Sequence, residues 1–312
     1  MTQLKELSVD PARAGARLDV YLGEALGLSR AKLKRLFDDG AVRVNGRPAK
    51  KGLTLGGGER LRVELPEEGP ALVAEADEDR VPQILFEDAE VVVLDKPAGV
   101  PSHPLRPGET GTCANMLLAR YPEMAEVADD PREAGLCHRL DVETSGAILA
   151  ARTRPAWERL RRAFGEQEID KRYWAMVTGP LADDGELDLP LRHHPRHTDR
   201  VEPAVDGGPE GRPALSRFRV LARNGDFSLV EVRILTGVLH QVRAHLSAVG
   251  APLVGDALYG GRVIPGLSRF FLHARALGFP HPSDGRRILV ESPLPPELAA
   301  LLETHGLVPG AG

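Results

Sequence analysis

The sequence predicts a two-domain protein in which short helices and strands are mixed, and three observations point that way. The chain has 312 residues, too long for one small domain and about right for two. Charge is divided unevenly along it. The net charge is −5, yet residues 1–66 hold 13 basic and 8 acidic side chains, which leaves −10 for the remainder. Helical apolar spacing and strand-like alternation also occur side by side in both parts. At 42% hydrophobic and 27% charged residues, the composition is that of an ordinary globular chain with a sizeable core.

The elements follow in chain order. MTQLKELSVD carries Lys5 and Glu6 where a secretory peptide has an apolar run, and the longest apolar stretches, 91–94 and 147–151, are far too short to span a bilayer. A cytoplasmic protein with no membrane partner is therefore expected. Its two cysteines, Cys113 and Cys137, fit a reducing compartment and make neither a disulfide framework nor a zinc site. From Ala16 onward, Leu18, Tyr21, Leu22, Ala25 and Leu26 recur with the spacing of one buried helical face. Ser29 stands as an N-cap for a second helix with Leu33, Leu36 and Phe37 inward, and Gly40 stops it. Asn45-Gly46 offers a tight turn between extended segments, and Leu61, Val63 and Leu65 alternate as a strand. Residues 29–51 carry eight basic against two acidic side chains, a local +6. On pattern alone that run reads equally well as a solvated face or a phosphate-binding one.

Residues 64–90 carry ten carboxylates and one arginine among scattered prolines and glycines, which predicts a solvated linker. The expected division is 1–66, a linker at 67–80, and a large domain at 81–312. Beyond residue 90 four segments stand out. VVVLDKPAGVPSHP is an apolar strand running into a turn. AGLCHRLDVETSGAILAA sets polar residues ahead of a buried strand, so that Asp141 is either a rigidly held cleft carboxylate or a turn cap paired with Arg139. DKRYWAMVTG alternates as a strand with Tyr173, Ala175 and Val177 on one face. In ILTGVLHQVRAHLSAVG, the residues Leu239, Val242, Leu246 and Val249 form a helical stripe that puts Arg243 near His240. A glycosidase carboxylate pair of Asp141 and Glu143 is disfavoured, because side chains two apart on an extended segment point to opposite faces. Dinucleotide, phosphate-loop and zinc-protease motifs do not occur, and the histidines His193, His194 and His197 lack partner ligands in sequence. No metal and no cofactor is expected.

Two resemblances organise these segments. The order RLDVYL, LSRAKLKRLFDDGAVRVNGRPAKKG, GERLRV over residues 15–65 resembles the alpha-L RNA-binding domain, which implies that Arg30, Lys34, Arg35 and Lys51 face RNA phosphates. From about residue 84 to 292 the chain resembles the RluA family of RNA pseudouridine synthases. HRLDVETSG matches the family's HRLDxxTSG, and LDKPAG, KRYWAMVTG, LHQVRAHL, PLVGDALYG and RFFLHARALGFPHP follow in the family's order. The resemblance implies an α+β fold with a central mixed, largely antiparallel sheet flanked by helices, and isomerisation of uridine to pseudouridine in structured RNA. It assigns catalysis to Asp141, Tyr173 and Arg243: Asp141 as the ionised carboxylate, Arg243 as its partner, and Tyr173 against the base and helping to remove the carbon-5 proton. His138, Arg139, Thr144, His240 and Gln241 are the implied substrate-binding residues. Arg139 would fill the space of a flipped nucleotide. Basic segments 152–162 and 192–200, with Arg196 and Arg200, are candidates for gripping RNA around the site. Large-subunit ribosomal RNA is the expected partner, transfer RNA the alternative, and a monomer the default state. Where the family reads GRTHQIR, this chain has Val238 and Leu239 in place of arginine and threonine. That departure keeps a second alternative open, a catalytically inactive RNA-binding assembly factor.

Overall fold

The computed structural model describes residues 2–28, 30–66, 72–197, 199–204 and 211–309. The chain divides into two compact units, residues 1–71 and 72–312. In the first unit the elements are β1 (Thr2–Ser8), α1 (Leu18–Leu26), α2 (Arg30–Asp38), β2 (Val42–Val44), β3 (Arg47–Pro48) and β4 (Arg60–Pro66). The strands form an antiparallel sheet in the order β1-β4-β2-β3. Leu18 and Leu22 of α1 and Leu33 and Leu36 of α2 close over Val42, Leu61 and Val63, as the spacing requires. Gly27 ends α1 at φ +63°, a left-handed turn that a side chain would strain. Asn45 and Gly46 both take positive φ, the requirement of the tight hairpin. Strand β1 is not visible in the sequence pattern: Leu4 is exposed and Leu7 only partly buried, so no clean alternation marks it. The expected cap Ser29 lies outside the described residues, as does the side chain of Arg30. Lys34, Arg35 and Lys51 are exposed.

The second unit contains β5 (Gln83–Glu87), β6 (Val91–Lys96), α3 (Cys113–Arg120), β7 (Ser145–Ala151), α4 (Arg154–Gly165), β8 (Asp170–Thr178), β9 (Asp184–Asp188), β10 (Leu191–His193), β11 (Val201–Pro203), β12 (Leu215–Asn224), β13 (Phe227–Ile234), α5 (Gln241–Ala248), β14 (Leu272–Pro280), β15 (Arg287–Glu291) and α6 (Pro296–Thr304). Nine strands build one sheet in the order β5-β6-β7-β14-β8-β13-β12-β9, with β15 also on β14. Every pairing is antiparallel except β7 with β14. The result is the mixed, largely antiparallel sheet expected. Strand β8 shows why its sequence alternates. Tyr173, Ala175 and Val177 join the core under α3 and α4, whereas Met176 joins the opposite core beneath α6. Strands β6 and β7 read as continuous apolar runs because both of their faces are covered. Among the described residues no helix is long and apolar enough to cross a membrane.

Two expectations change here. The acidic segment is anchored well before residue 80: Ala74 N–H donates to Pro131 O at 3.1 Å, Asn115 Nδ2 to Glu75 O at 2.6 Å, and Gly111 N–H to Asp77 Oδ2 at 2.8 Å. Backbone groups of Pro131 and Gly111 and the side chain of Asn115 capture it, which composition alone does not reveal. Residues 67–71 lie outside the described residues. The stripe from Leu239 to Val249 is also shorter than its spacing suggests. Helix α5 spans only eight residues, so Leu239 and Val249 fall beyond its ends at 36% and 37% exposure while Val242 and Leu246 reach the core.

Gly146, at the start of β7, sits at φ +114° opposite Ala274 in the single parallel pairing, and a Cβ there would lie 2.3 Å from the Ala274 carbonyl oxygen. Backbone on both sides cannot yield. Gly146→Ala should lower unfolding stability by about 2–4 kcal/mol in urea titration, and an unchanged midpoint would show that β7 and β14 are not packed this closely.

Candidate active site

Asp141 sits on the loop that feeds β7, and the backbone of that loop is clamped from two sides. Ser102 Oγ donates to Leu140 O at 3.0 Å and accepts from Leu140 N–H at 3.1 Å. Asp141 O accepts from Thr144 N–H at 3.0 Å, closing a turn. Beneath the loop Lys96 is buried at 1% exposure, and its ammonium donates to Pro97 O (3.0 Å), Val100 O (2.6 Å) and Val142 O (2.8 Å). Three donors meet three carbonyls. Burial lowers the Lys96 pKa to about 8, with Cys113, Glu143 and Asp141 opposing the shift. On the far side the guanidinium of Arg269, also buried, donates to Glu143 O at 2.9 Å and to Ser145 Oγ at 3.1 Å. Sequence reasoning gave neither cation a role, since a lysine at a strand end and an arginine in a loop look like ordinary surface residues.

Arg243, on the first turn of α5, is the centre of the site's electrostatics. Its Nε and Nη2 donate to the two oxygens of Asp256 at 2.7 and 2.9 Å. The remaining Nη1 reaches Asp141 Oδ2 at 3.2 Å. The guanidinium also lies 4.2 Å from the Phe270 ring centroid and 5.0 Å from that of Tyr259. Burial works against its charge, but Asp256 and then Asp141 outweigh burial and raise its pKa. The expected pairing of Arg243 with Asp141 is present, and the stronger fork to Asp256 was not foreseen. His240 Nε2 also faces Asp141 Oδ2, at 3.8 Å. The side chain of Asp141 is 23% exposed, and among the described residues its Oδ1 accepts no hydrogen bond. Val142 and Leu239, both partly open to solvent, follow and precede these groups in the chain. One carboxylate oxygen is thus held by the Arg243 guanidinium and faced by His240, and the other is unbonded among the described residues.

The other predicted residues divide into those near this carboxylate and those spent on the scaffold. Tyr173 is buried on β8, and burial followed by the charge of Asp141 pushes its phenol well above the ordinary range. It stays neutral, which suits a ring wall better than a standing base. Thr144 is buried, and its Oγ1 has no partner among the described residues. Arg139 is exposed, with Nη1 donating to His103 Nε2 at 3.4 Å. Gln241 is committed to the scaffold. Its Oε1 accepts from Thr236 Oγ1 (2.8 Å) and Val238 N–H (3.1 Å), and its Nε2 donates to Leu215 O and Ser216 Oγ at 3.0 Å each. His138 is committed too: Nε2 accepts from Leu149 N–H at 3.0 Å, the ring lies 5.0 Å from Phe164, and burial pulls its pKa down to about 3. Val238 packs with Leu191, Val201, Ala214 and Ala244 in a small apolar cluster of its own.

The basic segments are less free than their composition suggested. Arg152 pairs with Glu123, Arg154 with Asp129 and Glu158, and Arg192 with Glu202. Arg161 donates to Cys137 O at 2.8 Å, and Arg200 is half-buried with Nη1 3.5 Å from Leu258 O. Arg196 is exposed at the tip of the β10–β11 hairpin, where the rings of His194 and His197 stand 4.7 Å apart.

Residues 90–248 match the model of the family described as RNA pseudouridylate synthase, and residues 16–61 match the S4 domain. The chain is 35% identical to ribosomal large subunit pseudouridine synthase D of Xanthomonas campestris, with 96% of this chain and 92% of that protein covered. It is 36% identical to the protein of the same name from Nitrosomonas europaea, covering 96% and 87% respectively. Among solved structures, human RNA pseudouridylate synthase domain containing 1 superposes with a TM-score of 0.56 at 24% identity, over 76% of this chain and 99% of that one, which shows a shared fold.

The buried Lys96 carries a pH signature. Its ammonium loses a proton near pH 8 in the folded chain and near 10.5 when unfolded. The unfolded state therefore binds more protons between those values, and stability rises with pH across that window. Relative to Lys96→Met, the wild type should gain up to about 3 kcal/mol of unfolding free energy between pH 8 and 10.5. Urea denaturation at several pH values reads this directly, and a pH-independent difference would mean that burial leaves the amine unshifted.

Proposed function

The chain belongs to the RNA pseudouridine synthase family and carries an S4 domain at its N-terminus, and from that premise we propose that it isomerises uridines of large-subunit ribosomal RNA, with Asp141 as the catalytic carboxylate. The observation that carries this role is the asymmetry of Asp141: Oδ2 is held by Arg243 and faced by His240, and Oδ1 is unbonded among the described residues. The guanidinium holds one oxygen of that carboxylate in place, and the free oxygen can meet the sugar of a uridine.

The chemistry asked of the site is an isomerisation in which atoms balance. The bond from uracil N1 to ribose C1′ breaks, the base turns, and a bond from C5 to C1′ forms. The proton on C5 leaves and N1 gains one. Asp141 starts the cleavage, Arg243 orients and neutralises it, and the ring of Tyr173 walls the space in which the base turns. Because Tyr173 is kept neutral, its contribution is shape more than proton abstraction. A uridine inside folded RNA must leave its stack to reach this loop, at roughly a few kcal/mol. Arg139 would occupy the vacated position, a role its exposure two residues before Asp141 supports.

The S4 domain supports RNA binding by an acidic protein. Lys34 and Arg35 on α2 and Lys51 are exposed away from the buried Leu33 and Leu36, as phosphate contacts require. Such contacts position RNA without reading sequence. The ribosomal target rests on the names of relatives that match over most of both chains. That work lies in the cytoplasm.

The direct test incubates ribosomal and transfer RNA separately with wild type and with Asp141→Asn and measures pseudouridine by nucleoside mass spectrometry. Wild type should form it in large-subunit ribosomal RNA, and Asp141→Asn should be slower by ~10³-fold or more, about 4 kcal/mol of barrier. Product in transfer RNA alone would move the target. RNA binding without product from the wild type would favour the assembly-factor alternative.

A further inference from the structure

A second chain of contacts ends on the same oxygen that Arg243 holds. It starts in the β10–β11 hairpin, where Val201 N–H donates to the Tyr259 hydroxyl at 3.0 Å. That hydroxyl is 3.1 Å from His240 Nδ1, and His240 Nε2 is the atom facing Asp141 Oδ2 at 3.8 Å. The Tyr259 ring meets the imidazole edge-on. His240 itself takes φ +51° just ahead of α5, a left-handed conformation that L-residues rarely adopt. Strain of this kind persists where surrounding contacts over-determine it.

A phenolic oxygen has one proton to give. Having accepted the Val201 amide, Tyr259 can satisfy both itself and the imidazole by donating that proton to Nδ1. A neutral imidazole that accepts at Nδ1 carries its own proton on Nε2. Burial, opposed by Asp141 and aided by Arg243, lowers the His240 pKa, with Asp256 and Asp199 the other charges that act on the ring. In the other tautomer the Tyr259 oxygen would accept twice, its proton would have no acceptor among the described residues, and a ring lone pair would confront the carboxylate.

We propose that Tyr259 is a positioning residue that fixes the tautomer of His240, so that an Nε2–H, rather than a ring lone pair, faces Oδ2 of Asp141 beside the Arg243 hydrogen bond and Oδ1 is reserved for the substrate. The hairpin amide of Val201 sets the first link, so the hairpin that presents Arg196 is wired to the carboxylate. In its catalytic consequence the inference rests on the assignment of Asp141 above; in its tautomer it does not.

The test has one arm of each kind. Long-range proton–nitrogen correlation on the full chain labelled with ¹⁵N-histidine reports which imidazole nitrogen is protonated. His240 should be the Nε2–H form in wild type, and Tyr259→Phe, which keeps the ring against Arg243, should populate the Nδ1–H form. Single-turnover pseudouridine formation should slow about tenfold in Tyr259→Phe with RNA affinity unchanged. His240→Gln presents an amide N–H and has no tautomers, so adding Tyr259→Phe to it should bring no further slowing. An Nδ1–H wild type, a tautomer indifferent to Tyr259→Phe, or the same tenfold loss in the glutamine background would each overturn the proposal. If the wild type made no pseudouridine on any RNA, the Asp141 assignment would fail while the tautomer measurement stood.

Discussion

Everything at this site depends on keeping one guanidinium charged where there is almost no water. Arg243 and Asp256 are 7% and 1% exposed, and desolvating two such ions is expensive unless their geometry is close to ideal. The two-toothed fork supplies that geometry. Because guanidinium is planar and rigid, binding Asp256 through Nε and Nη2 fixes where Nη1 points, and Nη1 points at Asp141. Lysine could carry the charge but could not transmit that direction. The start of α5 sets the arginine's place: Gln241 bonds Leu215 O and Ser216 Oγ, so the arginine two residues later enters the site at a set height.

The same logic holds the carboxylate from behind. Lys96 and Arg269 grip the backbone just after Asp141, at Val142 O and Glu143 O, and leave the Asp141 carboxylate itself unbonded by them. Three cations surround one loop, and only Arg243 touches its functional side chain. This division between backbone clamps and a side-chain partner lets the loop be rigid without consuming Oδ1 of Asp141, the oxygen proposed to react. The sheet contributes the fixed distances. Gly146 lets β7 approach β14 closely enough for the single parallel pairing, and the loop that carries Asp141 ends at that pairing.

How much of this was legible in the sequence depends on the range of the interaction. Helices α1 and α2 and the alternation in β8 follow from local periodicity, and they appear as read. The juxtaposition of Asp141 and Arg243, 102 residues apart, came through family resemblance, because no local pattern links a loop to a helix that distant. Asp256 sat in a quoted motif without a role for the same reason: a buried fork is a property of three dimensions. Polar residues in a conspicuous motif misled in the opposite sense. Gln241 and His138 look available for substrate in HQ and HRLD, yet their polar atoms close backbone gaps. Strand β1 was missed because an edge strand needs little burial and Leu4 and Leu7 do not alternate. The arginines of 152–162 read as an RNA grip, although carboxylates distant in sequence already engage two of them, Arg152 and Arg154.

The most direct measurement is the single-turnover rate of Asp256→Asn, a variant that keeps the volume and one acceptor of the aspartate and removes the charge that orients Arg243. With Asp141 untouched, the folded variant should bind RNA as tightly as wild type and form pseudouridine ~10–100-fold more slowly, about 1.4–2.7 kcal/mol of barrier. A wild-type rate in a folded Asp256→Asn protein would contradict the account, because Arg243 would then hold Asp141 without the fork that is argued to aim it.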